Sequence, residues 1–271
     1  MEPSIGDWSL KARAAAVDQL PMEATFAGVL GAIFGSFLNV VVHRLPRHES
    51  VVSPPSHCPT CGAQIKPYDN VPILSWLALR GHCRGCGAPI SIRYPLVEAL
   101  TAALCVGAVL VHHTATGIVL SITLILLAVP AAAIDLEHKI IPNRLTALGA
   151  VLGVVLGTAL DPGGEPERII AAVAAGGFLL IAAIAYPGGM GMGDVKFVAV
   201  MGLFLGKSVA AAVLLALLAG TLVGLVVIAR KGAAEGRKTA IAFGPFLAAG
   251  AVAAVFVGHP LVDFYTKHFV H

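Results

Sequence analysis

The chain has 271 residues, of which 57% are apolar and only 12% charged, with a mean hydropathy of +0.86, whereas a soluble protein carries ~25% charged residues. That composition leaves little room for a soluble enzyme and excludes a disordered chain, a collagen-like chain and a disulfide-rich secreted scaffold. The net charge of +3 is too small to imply nucleic acid as a partner, so one polytopic domain in contact with the lipid bilayer is the expected class.

Residues 1–24 carry Asp7, Trp8, Lys11, Arg13, Asp18 and Glu23 ahead of any apolar run, which reads as an extracytoplasmic segment rather than a cleaved signal. The first run, 25–42, is then kept as a membrane helix. Further runs able to cross ~30 Å of hydrocarbon fall at 95–112, 117–134, 145–160, 168–186, 195–206, 208–229 and 241–259. The run 145–160 is a little short, and 195–206 reads as a tilted or partly buried helix packed against 208–229. Small residues four apart, Gly149/Gly153/Gly157, Gly202/Gly206 and Gly220/Gly224, favour close helix packing. The expected fold is an all-α polytopic membrane protein of about eight transmembrane helices.

Orientation follows from the basic residues. With both termini outside, the inner loops hold Arg44, Arg47, Lys66, Arg80, Arg84, Arg93, Lys139, Arg144, Lys196, Arg230, Lys231, Arg237 and Lys238, which is 13 of 18. The outer segments hold Lys11, Arg13, Arg168, Lys207 and Lys267. This places 43–94 on the cytoplasmic side, between helices 1 and 2, and 260–271 outside as a tail.

Segment 43–94 holds seven of the 17 prolines and four of the five cysteines, so it needs a staple rather than a core. Cys58-Pro-Thr-Cys61 and Cys83-Arg-Gly-Cys86 are two CxxC knuckles 21 residues apart, each followed by a glycine (Gly62, Gly87) that suits a tight turn. Four thiolates close a tetrahedral zinc shell and leave no open position, so the expected role of Zn2+ is structural, in a zinc-ribbon-like domain. Paired disulfides conflict with a reducing cytoplasm. A thioredoxin-like redox motif lacks its βαβ setting, and His57 and His82 are substitute ligands at best. Cys105, inside an apolar run, reads as core.

Most of the 15 acids fall in loops. Glu2, Asp7, Asp18, Glu23, Asp161, Glu165, Glu167 and Asp263 are outer, while Glu49, Asp69 and Glu235 are inner. Glu98, Asp135, Glu137 and Asp194 remain at helix ends, where an acid is costly and functional by default. Asp135 ends the uncharged run from Gly117, and Asp194 follows the glycine run from Gly188. Topology puts both on the cytoplasmic face. Two carboxylates in a partly dry site share one proton and can activate a water while polarising a carbonyl. Gly191 and Gly193 would let an extended substrate backbone approach. The competing reading makes the two acids unrelated caps, or partners of Lys139 and Lys196. The glycine run 188–193 lacks dinucleotide-fingerprint spacing, and Gly202–Ser208 is one residue short of a P-loop.

In this order the motifs resemble the type IV prepilin peptidases, bacterial members of the GxGD intramembrane aspartyl proteases. The resemblance rests on Gly35-Ser-Phe-Leu-Asn39-Val-Val-Val-His-Arg44-Leu-Pro46, the two knuckles, Asp69-Asn70-Val-Pro-Ile-Leu-Ser75 and Pro89-Ile-Ser-Ile-Arg93-Tyr-Pro95-Leu-Val-Glu98. It continues through Asp135-Leu-Glu-His-Lys-Ile-Ile-Pro142-Asn143, Gly191-Met-Gly193-Asp194-Val-Lys196 and Phe243-Gly244-Pro245-Phe246-Leu247, with Ala242 where proline is expected.

The resemblance implies Asp135 and Asp194 as the catalytic pair and 95–259 as the catalytic domain. Its substrates would be prepilin and pseudopilin precursors of type IV pili and type II secretion, cut at the cytoplasmic face of the inner membrane. Many members also methylate the new N-terminus with S-adenosylmethionine, for which no binding residues are recognisable here. Glu98 would pair with Arg93, orient the new amine or cap a helix. Two other classes compete. A transporter or metal permease would use the two aspartates as ion ligands, and a membrane thiol oxidoreductase would use the cysteines.

Overall fold

The computed structural model describes residues 5–186, 189–232 and 241–269, and is helical, with no β-strand among the described residues. The helices in chain order are α1 (Ile5–Arg44), α2 (Leu74–Ala78), α3 (Arg93–Val111), α4 (Ala115–His138) and α5 (Asn143–Leu160), then α6 (Glu165–Ala185), α7 (Met192–Leu205), α8 (Val209–Lys231) and α9 (Gly244–Phe269). Glu2, Gly188, Glu235, Arg237 and Lys238 lie outside the described residues, as do the side chains of Asp7, Trp8, Lys11, Arg13, Asp18 and Asp263.

Among the described residues six stretches are long and apolar enough to cross a membrane: Pro21–Arg47, Arg93–Val111, Ala115–His138, Asn143–Leu160, Glu165–Ala185 and Met192–Lys231. Gly244–Gly258 with Pro260–His268, bent by 72°, makes a seventh if it is one span. Counting α7 and α8 separately gives the eight apolar runs expected from the sequence, because Met192–Lys231 is 40 residues long and a one-turn 3-10 helix, Gly206–Ser208, interrupts it. At ~1.5 Å rise per residue it is twice the length one span needs. The protein is a multi-pass membrane protein.

The chain divides into two compact units, Met1–Ser36 with His57–His113, and Phe37–Ser56 with Thr114–His271. In the first, α1 and α3 meet backbone to backbone. A Cβ on Gly31 would lie 2.8 Å from Ala102 Cα, and one on Gly35 2.8 Å from Glu98 Cα. Cys105 fills this interface, buried and free.

In the second unit α7 is apolar on every side and correspondingly buried, with Phe197, Val198 and Met201 at its centre. Its main neighbours are α6 and α5, not α8 as the sequence suggested. Missing side chains are the reason. A Cβ on Gly202 would stand 2.4 Å from Ala172 Cα, on Gly149 2.8 Å from Val200 and on Gly153 2.8 Å from Leu203. Of the pair Gly220/Gly224, only Gly220 packs, against Phe243 and Phe246; Gly224 has nothing within 4 Å.

Candidate active site and cysteine cluster

Helix polarity brings four helix ends together in the second unit. Helices α4, α5, α6 and α7 alternate in direction, so the end of α4 and the starts of α5 and α7 share one pole. Hydrogen bonds record this. Lys196 on α7 donates to Asn143 Oδ1 on α5 at 2.8 Å. At the opposite pole Thr116 donates to Leu160 O at 3.2 Å, and Lys207 N donates to Glu167 at 3.1 Å.

Asp135 sits in the last turn of α4, which ends three residues later because Lys139 adopts the left-handed conformation (φ +53°) and Pro142 precedes α5. A carboxylate opposes the helix dipole there, so helix stability is not its reason for being there. It is 5% exposed. Its Oδ2 accepts the backbone N–H of Gly244, the first residue of α9, at 2.8 Å. Only glycine fits at 244, since a Cβ would lie 2.8 Å from that oxygen and 3.0 Å from Asp135 Cγ.

Asp194 lies in the first turn of α7, 8% exposed, and accepts the N–H of Gly191 at 3.3 Å, a position the dipole favours. Asp135 closes α4 and Asp194 opens α7, so the shared pole of these helices carries both acids. Lys196 bonds Asn143 rather than Asp194, which removes one partner of the ion-pair reading, while the Gly191 bond is the contact that the capping reading expects.

Gly193 does something other than expected. A Cβ there would come within 3.1–3.3 Å of Ile141 Cβ, O and N, so Gly193 is spent on seating α7 against the α4–α5 connection. Among the described residues a Cβ on Gly191 would meet only Asp194 Oδ2 at 3.4 Å and Gly193 N at 3.9 Å.

The cysteine cluster belongs to the first unit. Its knuckles are a structural repeat, His-Cys-x-x-Cys-Gly-Ala, with the same hydrogen bonds. Cys58 N bonds Ala63 O at 2.9 Å and Gly62 N bonds Cys58 O at 2.9 Å; Cys83 N bonds Ala88 O at 2.8 Å and Gly87 N bonds Cys83 O at 2.9 Å. Gly62 and Gly87 take φ +70° and +71°, which explains the glycines.

All four Sγ atoms lie within 4.8 Å of one another, and Cys58 to Cys86 is 3.8 Å. Zn–S bonds of ~2.3 Å in a tetrahedron place sulfurs about 3.8 Å apart, so the cluster fits a metal ion. The cysteines are free thiols, against the disulfide reading. Backbone N–H groups of Cys61 and Thr60 draw the Cys58 thiol down to about 6. At Cys86 the Ala88 N–H acts in the same sense, but burial and the neighbouring sulfurs prevail and raise it to about 11.

The sequence reading missed several partners. Asp69, set aside as a loop acid, receives three hydrogen bonds of 2.7–3.0 Å from Arg84, whose guanidinium holds its carboxyl below the usual range. Glu98, 7% exposed, accepts the N–H of Ile73 at 2.7 Å, so it caps α2; a helix cap was one of the roles expected for it, but not which helix. At the far pole Arg168 binds Asp161 (2.8 Å), Glu165 (3.1 Å) and Gly157 O (3.1 Å). The Gly-Pro pair at 244–245 signals a helix start, but nothing in the sequence says which acid receives its N–H.

Two family models match, the bacterial peptidase A24 N-terminal domain over residues 29–112 and the type IV leader peptidase family over 118–228. The first holds all four cluster cysteines and the second both aspartates. A protein of Myxococcus xanthus is 41% identical over 225 residues, covering 80% of this chain and 67% of its own. One of Burkholderia pseudomallei is 35% identical over 275 residues (88% and 87%), and one of Bacillus subtilis 34% over 244 (88% and 96%). Each is named prepilin leader peptidase/N-methyltransferase. No solved structure gives a significant match. With both models matched in order and relatives this similar along most of their length, the chain belongs to the type IV leader peptidase family.

Proposed function

We propose that this protein is an aspartyl endopeptidase of the inner membrane. It removes the leader of type IV prepilins and pseudopilins at the cytoplasmic face and N-methylates the new terminus. The observation that carries the peptidase reading is the pair of buried carboxylates, Asp135 and Asp194, gathered at one pole and held by the amides of Gly244 and Gly191. Family membership and the names of the relatives support the substrate class and both activities.

In the proposed reaction the ionised aspartate takes a proton from water, and the oxygen attacks the scissile carbonyl carbon. The protonated partner donates to the carbonyl oxygen. Collapse of the tetrahedral intermediate breaks the C–N bond, and the departing amine takes up a proton. Asp135 and Asp194 act as a pair, and which starts protonated belongs to the pair.

The basic residues counted from the sequence support termini outside and the active pole inside. On that reading 1–24 and 260–271 are extracytoplasmic, 25–42 is the first membrane helix, 43–94 the cytoplasmic four-cysteine domain, and 95–259 the catalytic membrane domain. Cys58, Cys61, Cys83 and Cys86 would hold a structural Zn2+. The methyl donor would be S-adenosylmethionine; the described residues of 43–94 form only isolated β-bridges and no Rossmann sheet, so no residue is assigned to it.

Incubating the purified protein with a prepilin and weighing the substrate intact tests both activities. A leader-sized loss is expected, followed by a gain of one methyl when the donor is present. An unchanged mass would refute the peptidase reading.

Gly244→Ala is expected to slow cleavage by about 10²-fold, since the new Cβ must push the Asp135 carboxylate aside. The drop should fall mainly on kcat, because the displaced carboxylate acts in the chemical step. A wild-type kcat would show that the Gly244 bond does not position Asp135.

A further inference from the structure

Helix α2 is inside out for a soluble module. It buries Ser75, whose hydroxyl donates to Tyr68 O (3.0 Å) and accepts from Val71 N (2.9 Å), yet exposes Leu74 and Leu77 at 64% and 59%. Residues three apart share a helix face, so the two leucines form one apolar edge. An exposed apolar surface of this kind marks contact with membrane or protein.

The edge has a fixed place in its unit. Ile73, which leads into α2, takes φ +62°, a rare conformation for a β-branched residue, and its N–H is held by Glu98 at 2.7 Å. Glu98 is in the second turn of α3, a spanning helix whose early residues Leu96 and Leu100 are also exposed. With 19 residues, α3 extends about 28 Å at ~1.5 Å each, so it has no length to spare across ~30 Å of hydrocarbon. Its first turns must therefore reach the lipid boundary. Helical side chains lean toward the N-terminus, which sets the Glu98 carboxylate, and with it α2, at that level. Between 57 and 94 the basic residues Lys66, Arg80, Arg84 and Arg93 face one acid, Asp69, already bound by Arg84. Such a surplus attracts anionic headgroups.

We propose that α2 is an interfacial anchor: Leu74 and Leu77 insert at the headgroup–acyl boundary of the bilayer, and the cysteine cluster is thereby held against the membrane surface. The occupant is lipid because Ile73, which leads into this edge, is hydrogen-bonded to Glu98 near the start of α3, a spanning helix whose first turns also expose Leu96 and Leu100.

The test uses the full-length protein in vesicles of phosphatidylglycerol and phosphatidylethanolamine, with the photo-crosslinker p-benzoylphenylalanine replacing Leu77. Irradiation is expected to yield lipid adducts at 77. No lipid adduct, or an adduct only to the chain itself, would overturn the proposal. A switch to prepilin adducts when prepilin is added would overturn it in favour of a peptide-docking face. A second measurement leaves α2 unaltered. In the Trp8→Phe protein, lipids brominated near the headgroup should quench Trp76 more than lipids brominated at the chain end, and no quenching by either would count against the anchor.

Discussion

Asp135→Asn and Asp194→Asn are each expected to cut prepilin cleavage by between about 10² and 10⁴-fold, the range general acid–base groups supply, while leaving the protein folded. Asparagine has nearly the same shape and keeps a side-chain oxygen. The acceptor for Gly244 N–H at 135, and for Gly191 N–H at 194, therefore survives the change. What disappears is the ability to take or give a proton. Because the two groups act on one proton, the double variant should be little worse than either single one. The measurement is the cleavage rate of a purified prepilin beside a thermal unfolding curve. Wild-type turnover in either variant would end the paired-acid assignment. Unfolding of both would mean instead that the acids are structural caps.

Loss of the metal is expected to be as drastic for the first unit. Removing a structural zinc forfeits on the order of 10–16 kcal/mol of apparent binding energy in small metal-folded modules. The segment holding the knuckles has little apolar material to offset that: among its buried groups are Cys58 and Ser75. Elemental analysis should find about one zinc per chain, and Cys58→Ser with Cys86→Ser should bring it close to none. Limited proteolysis would then cut between 57 and 92 in the variant and not in the parent. Metal retention should also weaken as pH falls, because protons compete for the four thiolates. A metal-free protein with the same protease resistance would show that Arg84–Asp69 and the Trp76 Nε1 bond to Ile90 O hold the fold alone.

The four-cysteine cluster was legible because its signals are local: the spacing of four cysteines and a glycine after each pair set the turns, and the turns set the thiols. The apolar runs were legible for a similar reason, since hydrocarbon thickness fixes how many apolar residues a span requires. The break between α7 and α8 was legible too, at Lys207, but the pairings of α7, with α6 and α5 rather than α8, were not. Those outcomes depend on which glycines face which backbones, as Gly202 does with Ala172, and periodicity cannot choose among partners.

Composition and motif order determined the membrane class, the two cysteine knuckles and which two acids are proposed as the pair. Helix direction, countable from the sequence, determined that they fall at the same end. Tertiary structure alone decided what holds them there. The Gly244 N–H reaches Asp135 across a separation of 109 residues, and Gly193 gives up its side-chain space to Ile141. It likewise decided which helix Glu98 caps, by giving it the N–H of Ile73 at φ +62°. The physical reason is that a hydrogen bond has a reach of about 3 Å and no sequence range: the chain names the donors and acceptors, and only packing selects which of them meet.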